Sequence, residues 1–303
     1  MTSAAESRTL GAGAGRVALI GLGPMGAPIA RHVAEHGYAL EVWNRTAATA
    51  QEFQGIAKVA ANPADLAADV VISALPDIDQ LTDLTPSRVL EEWARNGTRY
   101  LVVLSTTSPE KVHSLSARMA SYGIRVLDAP MSGGDAGARA GTLSLMVGAD
   151  PEDFAALRPL FGTFASTVQN MGPTGAGSAA KLCNQIVVAG TLVALAESLD
   201  LARRAGLSQE KLVEVLRGGL AGSAVLELKA GKLLRRDYEP GGSAVNQLKD
   251  LRYALSLGNR LGAELPVTRE TASLFETAVA LGLGHKDHSV VQELFRSKRG
   301  EPE

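Results

Sequence analysis

The chain has few aromatic residues, one cysteine and almost no net charge, and these shortages limit its core composition, its disulfides and its charged partners. Aromatic side chains make up 4% of 303 residues while apolar ones make up 46%, so Ala, Val and Leu must build most of the core. Cys183 stands alone, which excludes an intrachain disulfide and is typical of a reducing cytoplasm. A net charge of −2 gives no case for nucleic acid or an anionic membrane as partner.

The chain also lacks a secretion signal and a long apolar run. Residues 1–14 have neither a basic segment nor an apolar one, so we expect a flexible tail there rather than a signal peptide. The longest apolar run, residues 186–196, is shorter than the roughly 20 residues that span a bilayer. A length of 303 residues favours two domains. We therefore predict a cytoplasmic protein of two domains with no membrane partner.

A glycine-rich motif follows the first apolar stretch directly. Residues 16–20 have the pattern of a buried strand and residues 27–36 that of a helix, and between them lie Gly21, Leu22, Gly23, Pro24, Met25 and Gly26. In this context the spacing G-x-G-x-x-G is typical of a dinucleotide site. Its glycines permit a tight turn, close approach to a pyrophosphate and helix–strand packing, and the helix presents free N–H groups to the phosphates. The alternative is a glycine-rich structural turn.

The second predicted strand, residues 39–43, ends in Asn44, Arg45 and Thr46. Chains that bind NAD usually carry an acid here for the ribose hydroxyls. This chain has none, whereas the planar guanidinium of Arg45 suits a 2′-phosphate and Asn44 can form hydrogen bonds. The segment predicts NADP(H) in preference to NAD(H). The alternative is that Arg45 is an exposed loop arginine.

Strand and helix patterns then alternate up to about residue 170. Further strands are expected at 69–75, 100–104, 126–129 and 143–147, with helix starts at Asn62-Pro63, Ser108-Pro109 and Asp150-Pro151. The alternation predicts a doubly wound, mainly parallel sheet with helices on both faces. Ligands bind at the carboxyl ends of such strands, which is where the Gly21 turn, Leu75-Pro76, Thr106 and Ser132 lie.

The strand pattern stops after Val168. Helices are expected at 178–206, 208–218, 223–235, 243–262, 267–283 and 287–297. The sequence thus predicts a Rossmann-type α/β domain at 15–174 and an all-α domain at 175–303, joined by a long interdomain helix. The second domain is expected to serve substrate binding and dimerisation.

Polar residues near the start of that long helix need a reason to be there. Lys181 and Gln185 lie four residues apart, hence on one face, with Asn184 beside them, and an apolar run follows. One interpretation is that Lys181 extends to solvent and the amides cap backbone groups. The other is a catalytic lysine, whose pKa burial and the positive end of the helix would lower.

One motif suggests a metal. His32, Glu35 and His36 have the H-x-x-E-H spacing of a zinc site. They lie on the helix that should pack behind the glycine loop, with no third ligand evident, so we expect no metal.

Five blocks in order resemble the β-hydroxyacid dehydrogenase family, from Val17 to Phe295. Besides the glycine loop with residues 43–46, they are residues 105–109, 128–134 with 137–143, 175–181 and 249–251. The resemblance implies hydride transfer between NADP(H) and a small β-hydroxyacid or its semialdehyde. It implies that Thr106 lies by the nicotinamide and that Ser132, Gly133 and Gly134 bind the substrate carboxylate. It also makes Lys181 the general acid and base, Asn184 and Gln185 substrate contacts, and Lys249 a cofactor or substrate contact.

The chain departs from the family pattern in places. The amide pair is usually Asn-Asn, and Asn184-Gln185 resembles the tartronate semialdehyde reductase branch, as does Asp287-His288-Ser289. Asp287 could equally be only a helix cap. Gly242 replaces a usual aromatic residue, which would enlarge the pocket, and Val103 replaces a usual acid.

Two other functions are weighed against this one. An imine reductase shares the dinucleotide domain but, in that branch, has lost the lysine and the Ser-Gly-Gly loop that this chain keeps. A non-catalytic NADP-binding scaffold has no need of either. Because residues 186–196 are apolar around most of a helix, and because of the resemblance, we expect a homodimer or higher homo-oligomer.

Overall fold

The computed structural model describes residues 15–239 and 241–296. The chain forms two compact units, one up to Lys181 and one from Leu182 onwards. The predicted flexible tail, residues 1–14, lies outside the described residues, as does Pro240.

Within the described residues, one sheet of nine strands forms the centre of the first unit. The strands are β1 (Arg16–Ile20), β2 (Ala39–Trp43), β3 (Lys58–Val59), β4 (Val70–Ser73), β5 (Tyr100–Val103), β6 (Arg125–Asp128), β7 (Met131–Ser132), β8 (Leu143–Gly148) and β9 (Ala165–Gly172). Their order is β3-β2-β1-β4-β5-β6-β8-β7, with β9 paired to β8. The pairs from β3 through β6 are parallel, as is β8 with β9, whereas β8 is antiparallel to β6 and β7. The mainly parallel sheet is confirmed.

Helices connect the strands of this unit. They are α1 (Gly26–Glu35), α2 (Ala47–Gln51), α3 (Ile78–Leu84), α4 (Ser87–Arg95), α5 (Pro109–Ala120), α6 (Gly134–Ala140) and α7 (Pro151–Phe161), with a 3-10 turn at Pro63–Asp65. The start of α5 shows why the sequence predicted it: Ser108 Oγ accepts the Lys111 N–H at 3.4 Å, and Pro109 is the first helical residue.

The strands are apolar because the sheet is covered on both faces. Val17 and Leu19 of β1 belong to one core and Ala18 and Ile20 to another, and all four are fully buried. Continuous apolar strands are what a parallel sheet between two helical layers requires.

In the described part of the second unit, helices are the regular elements, with loops and one isolated β-bridge between them. The unit contains the larger part of α8 (Ala176–Arg204), then α9 (Gln209–Gly218), α10 (Ala224–Arg235), α11 (Ala244–Leu261), α12 (Pro266–Ala280), a 3-10 turn at His288–Gln292 and α13 (Glu293–Arg296). In the described part of the predicted helix at 287–297, Asp287 precedes the 3-10 turn, and α13 follows it. The all-α second domain is confirmed.

Helix α8 packs only part of its surface. Leu192 and Leu195, exposed by 0% and 5%, lie in the core of the second unit, whereas Val187 is 65% exposed. The most apolar stretch of α8 has a mean hydropathy of 1.6 and is 39% buried, so by length and composition alone it meets the criterion for a membrane span. Core helices of soluble proteins meet the same criterion, which makes this weak evidence.

Candidate active site

The glycine loop between β1 and α1 is a close-packed turn with an open middle. The Gly21 N–H donates to Trp43 O at 3.0 Å. A Cβ on Gly26 would overlap the Gly21 carbonyl oxygen, so only glycine lets α1 start this close to β1. At Gly23, in contrast, a Cβ would meet nothing within 4 Å, and Gly23 and Pro24 are exposed while Met25 is half-buried. The middle of the loop is therefore open to a phosphate group.

Asn44 ties the end of β2 to this loop. Its Oδ1 accepts the Leu22 N–H at 3.0 Å, and its Nδ2 donates to Thr46 O at 3.1 Å. The carboxamide thus holds the loop in place, a role the sequence did not predict. Arg45, the next residue, is exposed.

The ends of β4 and β5 meet beside the loop. Ser105 Oγ donates to Leu75 O at 2.7 Å, and a Cβ on Gly21 would lie 3.0 Å from Leu75 Cδ2. Pro76 is exposed and Thr106 half-buried. The structure brings Leu75 and the glycine loop together, with Thr106 next to the serine that contacts Leu75.

The Ser-Gly-Gly segment links β7 to α6: Ser132 is half-buried at the end of β7, and Gly134 is the first residue of α6. Ser132 pairs with Ser144 across the antiparallel β7–β8 ladder. Gly133 and Gly134 are exposed and have φ of 123° and 62°, which side chains rarely adopt. Their backbone can be approached closely, as a bound carboxylate requires.

Lys181 lies in the first turns of α8 and is 7% exposed. The start of this helix is held by Asp128, at the end of β6: Oδ1 accepts the Gly175 N–H at 2.6 Å and Oδ2 the Ser178 N–H at 2.5 Å. Burial raises the pKa of the Asp128 carboxyl, although the two backbone hydrogen bonds oppose that rise. The sequence placed Asp128 in a motif but gave it no role.

A second polar cluster lies within the helical unit. Gln185 Nε2 donates to Asp250 Oδ2 at 2.7 Å, and both residues are buried. The Lys249 ammonium lies 3.5 Å from Asp250 Oδ1 and 5.7 Å from the ring centroid of Tyr253. The structure thus groups the predicted residues Gln185 and Lys249 around Asp250, which the sequence did not single out. Asn184 is half-buried on α8.

The Asp-His-Ser segment has a structural role. Asp287 is the N-cap of the 3-10 turn and accepts the Ser289 N–H at 3.0 Å, as predicted for a cap, and it also pairs with Lys229 at 2.7 Å. The neighbouring His288 lies 3.8 Å from the place a Cβ on Gly242 would take. Part of the space expected from the loss of an aromatic residue at 242 is therefore filled by imidazole.

The histidines of the H-x-x-E-H motif contact backbone carbonyls. His32 Nε2 lies 3.1 Å from Arg139 O, and His36 Nδ1 lies 2.8 Å from His32 O. Among the described residues, no group of three or more His, Cys, Asp or Glu side chains is arranged to hold a metal ion.

Two family models together match most of the chain. Residues 16–172 match the NAD binding domain of 6-phosphogluconate dehydrogenase. Residues 175–295 match the domain described as NAD-binding of NADP-dependent 3-hydroxyisobutyrate dehydrogenase. The chain belongs to the β-hydroxyacid dehydrogenase family. It is therefore a nicotinamide-dependent oxidoreductase of the hydroxyacid dehydrogenase type.

Relatives in this family match over nearly their full lengths. The 2-hydroxy-3-oxopropionate reductase of Escherichia coli is 33% identical, with 91% of this chain and 95% of that protein covered. The NAD-dependent L-serine dehydrogenase of Pseudomonas aeruginosa is 34% identical, with 94% and 99% covered. A structure of Mycobacterium tuberculosis 3-hydroxyisobutyrate dehydrogenase with L-serine has a TM-score of 0.80 at 29% identity, with 93% and 99% covered.

Imine reductases share the fold. The enzyme from Myxococcus stipitatus, in complex with NADP+, has a TM-score of 0.63 at 20% identity, with 93% of this chain and 99% of that chain covered. An identity this low carries the fold alone.

Proposed function

We propose that this dehydrogenase interconverts a small β-hydroxyacid and its semialdehyde or oxoacid with NADP(H), using Lys181 as general acid and base. The observation that carries the proposal is the burial of Lys181, which is 7% exposed at the start of α8. Burying an ammonium group costs free energy unless the surrounding groups compensate for its lost hydration. An ammonium in this position could donate the proton that reduction of a carbonyl to an alcohol needs.

The cofactor would be held by the glycine loop and its neighbours. The residues at 21–26 give a loop that is close-packed at Gly26 and open at Gly23, which fits a pyrophosphate. Leu75 lies beside Gly21, and Pro76 and Thr106 follow the ends of β4 and β5. These three residues and Lys249 are proposed as further cofactor contacts. The bound nicotinamide would supply or accept the hydride.

The preference for NADP(H) rests on the end of β2. Asn44, Arg45 and Thr46 include no acid, and Arg45 is exposed at the point where a 2′-phosphate is expected. The relatives do not decide the matter: one is named as NAD-dependent, and a structural neighbour of 27% identity is in complex with NADP+. Arg45 therefore carries the cofactor proposal.

The substrate carboxylate is assigned to the Ser132–Gly133–Gly134 segment, where the hydroxyl of the half-buried Ser132 and the exposed backbone of the two glycines can approach it. Asn184 is proposed as a second contact. Gln185 donates one amide N–H to Asp250, so its second N–H and its carbonyl oxygen are the groups proposed for substrate. Lys181 would protonate the carbonyl oxygen during reduction and take the alcohol proton in the reverse direction. The first substrate to test is 2-hydroxy-3-oxopropionate, because the Asn184-Gln185 pair resembles that reductase branch and the E. coli reductase is 33% identical.

The test is a panel of semialdehydes, hydroxyacids and cyclic imines assayed with NADPH and NADH on the native enzyme and on Lys181→Ala. We expect Lys181→Ala to lower kcat by about 100-fold or more, the scale of a lost general acid–base group, with cofactor affinity unchanged. Lys211→Ala, at an exposed lysine of α9, is the matched control and should retain full activity. Turnover near the native level in Lys181→Ala would refute the mechanism.

The same panel separates the other two functions. Reduction of cyclic imines without turnover of any acid or semialdehyde would identify an imine reductase. Cofactor binding with no turnover of any compound would identify a scaffold. The buried Lys181 and the open Ser132–Gly134 turn favour the dehydrogenase over both.

The proposal includes a homodimer in the cytoplasm that contacts neither nucleic acid nor membrane. Support for the dimer comes from α8, on which Val187, Ala194 and Leu201 are exposed at seven-residue intervals. Residues seven apart lie on the same side of a helix, so these three exposed apolar side chains share one side of α8.

A further inference from the structure

The first turn of α8 has no local cap. The helix begins at Ala176, so Gly175 is its N-cap residue and Ser178 its third residue. In a capping box, side chains of those two positions accept each other's backbone N–H groups. Gly175 has no side chain, so it cannot accept the Ser178 N–H as an N-cap serine or aspartate would.

The Asp128 side chain, at the end of β6, takes the place of both capping side chains. Its two carboxylate oxygens accept the Gly175 N–H at 2.6 Å and the Ser178 N–H at 2.5 Å, the same two donors that a capping box satisfies. The side chain is fully buried at the end of β6. The start of α8 is therefore fixed to the sheet and not only to its own loop.

The backbone around the Asp128 carboxylate is closely packed, so that only glycine fits at positions 148 and 177. A Cβ on Gly177 would lie 2.6 Å from Asp128 O and 2.8 Å from the Gly148 nitrogen. A Cβ on Gly148 would overlap Asp128 Oδ1 and lie 2.8 Å from the Gly177 nitrogen. Thr174 Oγ1 also donates to Val126 O at 3.1 Å, so the residues before the helix are attached to β6 as well.

We propose that Asp128 is the positioning residue for Lys181, because its carboxylate fixes the rotation and the height of the α8 turn from which Lys181 projects. Lys181 follows Ser178 by three residues, so a shift of the first turn moves the ammonium directly. Displacement of a reacting group by about 1 Å can cost on the order of 100-fold in rate. This inference rests on the proposed role of Lys181.

The test is a double-mutant cycle of Asp128→Asn and Lys181→Ala, measured as kcat and KM with NADPH and the best substrate of the panel. The asparagine keeps the size of the side chain but presents an NH2 group to one of the two N–H donors. We expect Asp128→Asn to lower kcat by about 10- to 100-fold without changing cofactor affinity. In the Lys181→Ala background, the same change should have no further effect, since no lysine is left to position.

Two further measurements keep the test independent of folding. Amide hydrogen exchange at Gly175 and Ser178 should accelerate in Asp128→Asn. Gly148→Ala, which pushes on the same carboxylate from β8, should reproduce both the loss of kcat and its absence in the Lys181→Ala background. Asp150→Asn is the matched control, because Asp150 precedes α7, is exposed and makes no capping hydrogen bond, so kcat and exchange should be unchanged.

The outcomes are separable. If the effects of Asp128→Asn and Lys181→Ala multiply, or if Asp128→Asn leaves kcat unchanged, the positioning role is wrong while the lysine mechanism stands. If Lys181→Ala alone retains native turnover, the proposed chemistry fails first and the inference fails with it.

Discussion

At the scale of a single residue, the proposed preference for NADP(H) depends on Arg45. It is exposed at the end of β2, where its guanidinium can form a bidentate contact with a 2′-phosphate. We expect Arg45→Ala to raise KM for NADPH by about 10- to 100-fold, since a charged hydrogen-bonded contact contributes roughly 1.5–3 kcal/mol. KM for NADH should change little, and steady-state kinetics with both cofactors measures the difference.

The control for this variant is Arg158→Ala. Arg158 is an exposed arginine of the same unit on α7, so its loss should change neither KM. Equal increases for NADPH and NADH in Arg45→Ala would show that Arg45 does not read the 2′-phosphate.

At this scale, sequence predicts residues whose role depends on local geometry. The Gly26 packing and the Ser108 cap follow from neighbours a few positions away, and the structure has both. The roles of Asp128 and Asp250 depend on partners 50 and 65 residues away, Ser178 and Gln185, so no local pattern could reveal them. Asn44 was expected near the cofactor, but its contact with Leu22 emerges only when β1 and β2 lie side by side.

At the scale of elements, prediction succeeded where strands are long and buried. β1 and β2 have the predicted bounds, because each is a five-residue stretch with a clear end. β3 and β7 were missed because two residues carry no period. β9 (Ala165–Gly172) was also missed, since no strand was predicted after 143–147, and its exposed polar residues such as Ser166 and Gln169 give no clear strand pattern.

The 3-10 turn at His288–Gln292 is attached to α10 by a buried ion pair. Asp287 is fully buried, and the Lys229 ammonium lies 2.7 and 3.0 Å from its two oxygens. Lys229→Met removes the cation and leaves the carboxylate buried, which typically costs about 3–5 kcal/mol. We expect a clear loss of thermal stability at pH 7, measured by calorimetry. Lys232→Met, on the same helix, loses only a contact with the Glu239 carbonyl and should cost far less.

This loss should depend on pH. Burial alone would raise the pKa of Asp287, but hydrogen bonds from Lys229 and Ser289 and the nearby positive charges outweigh it and lower the pKa below 3.8. In the native protein the contribution is therefore full above about pH 4 and is lost as pH falls through the lowered pKa. Without Lys229 burial dominates and the carboxyl prefers its proton, so the variant should lose more stability at pH 7 than at pH 4. A pH-independent difference would contradict this account.

At the scale of the whole molecule, the order of patterns along the chain predicted the two parts correctly. The alternating strand and helix patterns predicted the sheet of the first unit. The helix patterns that follow them without strands predicted the helical second unit. The boundary at 174/175 stays a prediction; the compact units divide at Lys181, inside α8. Helix α8 belongs to both units, and its helical sequence pattern continues across the boundary. No feature of the sequence therefore marks the residue at which the first core ends and the second begins.

The apolar run at 186–196 has two different faces, which sequence could not separate. Leu192 and Leu195 belong to the core of the helical unit together with Ala189 and Ala196. A charge at Leu192 or Leu195 would therefore test the stability of that unit and not association between chains. The exposed face, with Val187 at 65% and Leu201 at 69%, is the one available to a second chain.

The last prediction concerns that face. Val187, Ala194 and Leu201 lie along one side of α8 as a seam that the exposed Glu197 borders, and the small Ala194 at its middle permits two helices to approach closely. If two copies pack along it, Val187→Asp places a desolvated charge in the interface and should convert the dimer to a monomer at micromolar concentration, as light scattering and sedimentation would show. Val215→Asp is the matched control, because Val215 on α9 is exposed by 71% and lies outside the seam. An unmodified protein that is monomeric at this concentration would end the dimer proposal, whereas a dimer that Val187→Asp leaves intact would show that the interface lies on another face.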